Sequence, residues 1–154
     1  MAQQHLKFAI FGNEYQAKKS ASIMRILSYL EKREAEVYIE SLFYDFLTKV
    51  EHLEVQAAGV FEDYNFDVDY VISMGGDGTF LKAASRVGAK GTPILGVNMG
   101  RLGFLADVLP SEIEPALDSL YAGECKIEEH AIIEVKAEGG ILAGYPFALN
   151  DIAV

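Results

Sequence analysis

The stretch of sequence that decides the fold runs from Val68 to Thr79 and reads VDYVISMGGDGT. Residues Val68 to Met74 are nearly continuously apolar, which is typical of a strand buried on both faces of a parallel sheet. Gly75 to Thr79 form a glycine-rich turn, and the apolar residues after it recur at helical spacing up to Gly88. The stretch therefore predicts a strand, a tight turn and a helix that ends at a glycine.

The same alternation of strands and helices continues on both sides of this unit. Apolar runs predict strands at Leu6 to Phe11, Glu36 to Glu40 and Pro93 to Val97. Helical periodicity predicts helices around Ile23 to Leu30, over Ser41 to Val50 with Leu42 and Phe46 inward, and from a capping box at Ser111 and Glu114 to Gly123. Residues 51–67 show no clear period. We expect a parallel-sheet, Rossmann-like α/β domain over residues 1–123.

From residue 124 the pattern changes, because no helical period follows. Residues Ile132 to Val135 and Ile152 to Val154 predict strands, and Gly139-Gly140 between them predicts a turn. Residues 124–154 are therefore predicted to begin a second, β-rich part of the protein.

Composition excludes several classes of function. The 23 acidic and 13 basic residues give a formal charge of -10, which repels nucleic acid and anionic lipid. No apolar run approaches the roughly 18 residues of a membrane span, and no secretory segment is recognisable. Cys125 is the single cysteine, so a reducing cytoplasm is expected. The histidines, His5, His52 and His130, lack the spacing of metal ligands, and no metal-ligating residues are predicted.

The glycine-rich turn is the first candidate site. More than half of the 14 glycines lie between Gly75 and Gly103, in a stretch that is otherwise apolar. A turn of Gly75, Gly76, Asp77, Gly78 and Thr79 at the start of a helix would direct backbone N–H groups at an anion such as phosphate. A carboxylate beside a phosphate is electrostatically unfavourable unless it has a function, such as accepting a proton or binding a metal. The alternative is that Asp77 or Thr79 only caps the helix.

Two later segments supply further candidate residues. The loop from Asn98 to Leu105 reads NMGRLGFL and follows the next predicted strand, so it should meet the glycine turn at the carboxyl edge of the sheet. Asn98 offers a donor and an acceptor, and Phe104 is either the wall of a base pocket or a core residue. Asn150-Asp151 is a polar pair between apolar residues, and an exposed turn is its alternative reading.

Taken together in this order, GGDGT, NMGRLGFL and LND resemble the motifs of bacterial NAD kinases. The first motif is shared with diacylglycerol kinases, sphingosine kinases and 6-phosphofructokinases, whereas the second and third are more particular to NAD kinases. The resemblance covers most of the chain from Lys7 onward. It implies phosphorylation of the adenosine ribose 2′-hydroxyl of NAD by ATP, giving NADP, with a divalent cation, usually Mg²⁺; some members also accept polyphosphate.

The resemblance also assigns roles to residues. Asp77 is implied to contact the reacting ribose as general base, and Gly75, Gly76, Gly78 and Thr79 to shape the phosphate-facing turn. Asn98 and Phe104 are implied to bind nucleotide, with Phe104 at the adenine, and Asn150 and Asp151 to bind NAD. Asp151 is one methylene shorter than the Glu that many members have there.

The family is built of this α/β domain followed by a β-rich domain that completes the NAD pocket. We therefore expect residues 124–154 to begin that second domain, the chain to be the N-terminal portion of a homo-oligomeric enzyme, and the 154 residues alone to have little activity. Two other functions stay open at the level of sequence. One is a lipid kinase of the diacylglycerol kinase type, and the other is a non-catalytic, nucleotide-sensing α/β domain.

Overall fold

The computed structural model describes residues 5–12, 20–99, 108–124, 132–134 and 147–149. Five strands form a parallel sheet in the order β3-β2-β1-β4-β5, with bounds β1 Lys7–Gly12, β2 Glu36–Glu40, β3 Gly59–Phe61, β4 Tyr70–Gly75 and β5 Ile94–Asn98. The parallel α/β sheet that the sequence predicts is therefore confirmed.

Four helices connect or follow these strands: α1 Ser20–Lys32, α2 Ser41–Asp45, α3 Asp77–Val87 and α4 Ile113–Tyr121. A π-helical segment, Phe46–Val50, continues α2, and short 3₁₀ turns follow α3 at Gly88–Lys90 and precede α4 at Pro110–Glu112. Two short antiparallel strands, β6 Ile132–Glu134 and β7 Phe147–Leu149, pair with each other in a second sheet.

Helices cover both faces of the five-stranded sheet. On one face, α1, α2 and α4 pack on the side chains of Phe8, Ile10, Ile39, Ile72 and Met74, all of which are buried. On the other face, α3 packs through Ala83 and Val87 against Ala9, Phe11 and Val71. Burying both faces of β1 and β4 explains why their sequences are continuously apolar rather than alternating.

The strand order creates a switch point between β1 and β4. From β1 the chain moves outward through β2 to β3, and then returns to the other side of β1 with β4 and β5. In open α/β sheets, ligands bind outside the carboxyl ends of the strands at such a point. The turn between β4 and α3 leaves the sheet there.

The strand predicted from Ile132 corresponds to β6, whereas its partner β7 was not predicted. The predicted turn at Gly139-Gly140 and the predicted strand from Ile152 to Val154 lie outside the described residues.

Three further local features differ from the sequence-based expectation. Strand β3 was not predicted, because three residues are too few for a period to show. In α2 the buried residue is Phe43 rather than Leu42, which is 55% exposed. The capping bond before α4 joins Glu112 Oε1 to the N–H of Leu109 at 3.1 Å, so the predicted capping box at Ser111 and Glu114 is wrong.

Within the described ranges, no helix has the length and apolar character needed to cross a membrane.

Candidate functional site

The turn between β4 and α3 is built so that the helix begins without a side-chain cap. Gly76 is the residue before the first helical residue, and it has no side chain to accept from the first turn. Asp77 is the first residue of α3, and it is partly buried. The first N–H groups of an α-helix have no acceptor within the helix, and they form its positive end. The turn therefore offers donors and a carboxylate in one place.

Gly75 is required by packing within the chain. A Cβ at Gly75 would lie 2.3 Å from Thr79 Oγ1 and 2.8 Å from Thr79 Cβ. Thr79, one turn into the helix, thus lies directly over the end of β4. This close approach ties the position of the helix N-terminus to the sheet.

Gly76 and Gly78 have no such requirement. A Cβ built on either residue would meet no described atom within 4 Å, and Gly76 has an ordinary φ of −106°. Gly78 is exposed in the first turn of α3, where glycine is a poor helix former. Neither the backbone nor any described neighbouring atom explains these two glycines. A ligand that occupies the space next to them would explain why neither residue has a side chain.

Asn98 brings the second predicted loop to the same edge of the sheet. It is the last residue of β5, is 3% exposed and lies beside Gly75 in the strand register. The N–H of Met99 donates to the carbonyl of Gly75 at 3.1 Å, and the N–H of Asn98 donates to the carbonyl of Val108 at 2.7 Å. The predicted meeting of the two loops is confirmed at their start. Phe104 lies outside the described residues.

The carboxyl end of β1 is closed by an aromatic ring. A Cβ at Gly12 would lie 2.2 Å from Cζ of Phe43, so this ring packs flat on the backbone of Gly12. Phe43 is held by Glu40, the last residue of β2, whose Oε2 accepts from the N–H of Phe43 at 3.1 Å. Glu40 is only 5% exposed, and its Oε1 lies 3.5 Å from Nζ of Lys82 on α3.

Cations of α3 and of the segment after it have partners within the protein, although Lys90 follows the C-terminal end of α3 and so lies away from the glycine turn. Besides Lys82, Arg86 donates to Ser85 Oγ at 2.9 Å. Lys90 donates to the carbonyl oxygens of Tyr64 and Phe66 and lies over the Phe66 ring. Burial lowers the pKa of Lys90, and the nearby carboxylate of Asp67 opposes that shift.

Sequence reasoning missed two polar residues near the carboxyl edge of the sheet, Glu40 and Ser73. Glu40 is the last residue of a predicted strand, and nothing in the local pattern shows that Lys82 of α3 lies beside it. Ser73 Oγ is fully buried and has no hydrogen-bond partner in the described part of the chain. Ser73 lies two residues before Gly75. Its side chain is small enough to stand within an apolar strand sequence without changing the pattern.

Asn150 and Asp151 fall outside the described residues. The strand immediately before the Asn-Asp pair, β7, contacts α3. Within the described ranges, no group of three or more His, Cys, Asp or Glu residues could hold a metal ion.

A parallel sheet with an open glycine turn at its switch point is the arrangement found in nucleotide-binding α/β domains. Residues 8–125 match the family described as the ATP-NAD kinase N-terminal domain. This chain therefore belongs to the NAD kinase family, and the predicted resemblance is confirmed.

Individual relatives agree with the family. An NAD kinase of Bacteroides fragilis is 50% identical over 149 residues, which are 97% of this chain and 51% of that protein. An NAD kinase of Porphyromonas gingivalis is 39% identical over 148 residues, or 96% of this chain and 51% of that protein. This chain spans about half the length of these curated relatives.

A solved structure shows the same fold at low sequence identity. It is a yeast NADH kinase in complex with NADH, with a TM-score of 0.72 and 16% identity. The alignment covers 94% of this chain and 46% of that one.

Proposed function

We propose that this chain supplies the phosphoryl-transfer part of an NAD kinase, which phosphorylates the adenosine ribose 2′-hydroxyl of NAD and gives NADP. Residues 1–123 would form the α/β domain, and residues 124–154 would begin the β-rich domain. The phosphoryl donor is ATP or polyphosphate. Family membership supports the reaction, and the open turn at the switch point supports its place in the fold.

The single observation that carries the proposal is the open space above Gly76 and Gly78. Both residues lack a side chain although no described atom lies within 4 Å of the position that a Cβ would take. A phosphate placed there could accept from the first N–H groups of α3 and would be stabilised by the positive end of the helix. Gly75 and Thr79 would fix the position of that turn through their close contact.

Asp77 is the proposed general base. An alcohol is a weak nucleophile at neutral pH, and a carboxylate positioned beside the ribose 2′-hydroxyl can accept its proton as the phosphoryl group is transferred. Asp77 lies at the first position of α3, next to the proposed phosphate site. The acceptor hydroxyl and the donor phosphate would therefore meet at one turn of the chain.

The NAD side of the site is assigned to Asn98, Phe104, Asn150 and Asp151. Asn98 lies next to Gly75 at the edge of the sheet. Strand β7 contacts α3, and Asn150 follows that strand directly in the sequence. This contact supports a site in which the Asn-Asp pair and Asp77 act on the same substrate.

A divalent cation, which we propose to be Mg²⁺, fits this set of residues. Mg²⁺ in phosphoryl-transfer sites is held by one or two carboxylates together with the phosphates of the substrate. The substrate phosphates and retained waters can supply most of its ligands, so Asp77 stays assigned to the proton and no residue of this chain is assigned to the metal. When bound, the cation would offset negative charge on the donor phosphates.

The test is NADP formation by the complete protein that carries this chain, measured with an NADP-specific dehydrogenase. Asp77→Asn should lower kcat by at least 100-fold while the unfolding midpoint stays near that of the wild type. Asp45→Asn is the matched control, because it removes the same charge from an exposed ion pair with Lys49. Turnover that survives Asp77→Asn would favour the nucleotide-sensing alternative, in which Asp77 has no catalytic role.

The same assay addresses the other expectations. Diacylglycerol in place of NAD should accept no phosphate, and its phosphorylation would instead support the lipid kinase alternative. The isolated 154 residues should form little NADP, because the family's second domain completes the NAD pocket. We further propose a cytoplasmic homo-oligomer, which cell fractionation and light scattering of the complete protein can test.

A further inference from the structure

The buried carboxylate of Glu40 is a charged group that the proposed reaction does not use. Its side chain is 6% exposed, one oxygen accepts from the N–H of Phe43, and the other lies 3.5 Å from Lys82 Nζ. An ion pair with one buried member need not stabilise a fold better than apolar residues of the same volume. The pair is therefore a candidate for a role in binding rather than in stability alone.

The location of Lys82 connects this pair to the glycine turn. Lys82 is four residues after Gly78, so the two residues lie on the same face of α3. Its ammonium reaches back to Glu40, which ends β2 at the carboxyl edge of the sheet. The absence of a side chain at Gly78 leaves open the space on the N-terminal side of Lys82.

The contact between Lys82 and Glu40 leaves hydrogen-bonding capacity for a ligand. Charge-assisted N–H···O bonds are about 2.7–2.9 Å long, and this separation is 3.5 Å. The Lys82 side chain is also 33% exposed. An ammonium has three donors, so a phosphate oxygen could be bound while Glu40 still fixes where the ammonium lies.

The distance between the end of β2 and the end of β4 favours binding of a long anion. Glu40 ends β2 and Gly75 ends β4, and these strands are two interstrand spacings apart, which is about 10 Å. A single phosphate at the N-terminus of α3 would not extend toward β2, whereas a chain of phosphates would.

We propose that Lys82 binds the phosphates of the donor that lie farthest from the N-terminus of α3, and that Glu40 is the positioning residue for its ammonium. The inference rests on the proposed kinase function. It predicts that the site prefers an extended polyphosphate, as in a nucleoside triphosphate or linear polyphosphate, to a single phosphate.

The experiment measures the KM for ATP in the complete protein. Lys82→Met should raise this KM by about tenfold or more with a much smaller change in kcat, because binding in the ground state is lost. Lys82→Arg keeps the charge and should stay within about threefold of the wild type. Lys49→Met is the matched control, since it removes one positive charge from an exposed pair elsewhere and should leave the KM unchanged.

The positioning role of Glu40 is tested by Glu40→Gln, whose amide oxygen can still accept from Phe43. This variant should raise the KM less than Lys82→Met does, and it should add little in the double variant, because the two residues act together. If the pair has only a structural role, the variants lower the unfolding midpoint and leave the KM for ATP unchanged. That result would overturn the inference.

Calorimetric titration separates this inference from the proposed kinase activity. Inorganic tripolyphosphate should bind the wild type more tightly than orthophosphate, and Lys82→Met should remove that difference. If the wild type forms no NADP, the proposed function fails, and the titration still decides the role of Lys82. Equal affinity of wild type and Lys82→Met for tripolyphosphate, or no binding by either, contradicts the inference.

Discussion

Replacing Gly78 by Ala distinguishes two reasons for a glycine at this position: space for a ligand, or a requirement of the fold. Gly78 is exposed in the first turn of α3, and a Cβ there would meet no described atom within 4 Å. Alanine favours the helix by up to about 1 kcal/mol, and we expect about 0.5 kcal/mol in the first turn. For a protein of 150–250 residues that gain corresponds to a rise in melting temperature of about 1–2 °C, and the rise is smaller in a longer protein.

The same substitution should damage the proposed reaction. The added methyl group would occupy the space where we place the donor phosphates, and a displacement of about 1 Å in a reacting group can cost about 100-fold in rate. We therefore expect a slightly more stable protein whose kcat/KM for ATP is lower by about that factor. Thermal unfolding and the NADP-forming assay measure the two effects on one preparation.

The control is Ser28→Ala on the exposed surface of α1, far from the turn. It should also raise stability slightly, since alanine is the better helix former, and leave kcat/KM unchanged. Full activity of Gly78→Ala would refute the argument that the open space above the turn is kept for a phosphate. A loss of stability would refute the packing analysis.

Two further predictions concern packing and pH. Gly75→Ala should destabilise the protein by about 1–3 kcal/mol in urea unfolding, because the new Cβ would overlap Thr79 Oγ1; Thr79→Ala should recover part of the loss. Burial raises the pKa of Tyr121, an effect opposed by the nearby Arg33, so the folded state favours the protonated hydroxyl and stability falls as the pH rises through the alkaline range in which this tyrosine ionises. Tyr121→Phe removes a buried hydroxyl that lacks a partner in the described ranges, so its unfolding free energy should be unchanged or higher at pH 7 and depend less on alkaline pH. A clear loss of stability at pH 7 would show that this hydroxyl has a partner.

Much of the fold was predictable because its signals are local. The continuous apolar run of β4, the helical spacing after Thr79 and the glycine at residue 88 each depend on neighbours a few residues apart. The three-residue strand β3 was missed, since it is too short to show a period. The inward face of α2 was misassigned because contacts of Phe43 with Gly12 and Glu40, which are distant or outside the helix, decide it.

The candidate site was likewise predictable only in part. The glycine turn, Asp77 and Asn98 were found from the sequence because loops after parallel strands meet at one edge of a sheet. The Glu40–Lys82 pair was not found, since its members are on different elements and neither belongs to a motif. Only the folded chain, in which Lys82 of α3 lies beside the end of β2, brings the two charges together.

The sequence by itself determined the alternation of strands and helices, the glycine turn with Asp77, and membership of the NAD kinase family. These properties depend on short-range periodicity and on motifs, so residue spacing along the chain is enough to predict them. The tertiary structure decided the strand order, the switch point between β1 and β4, and which glycines face a neighbour. Gly75 and Gly78 look alike in the sequence. Only the folded chain shows that a side chain at Gly75 would overlap Thr79, whereas one at Gly78 would meet no described atom within 4 Å, because the space between atoms is set by packing.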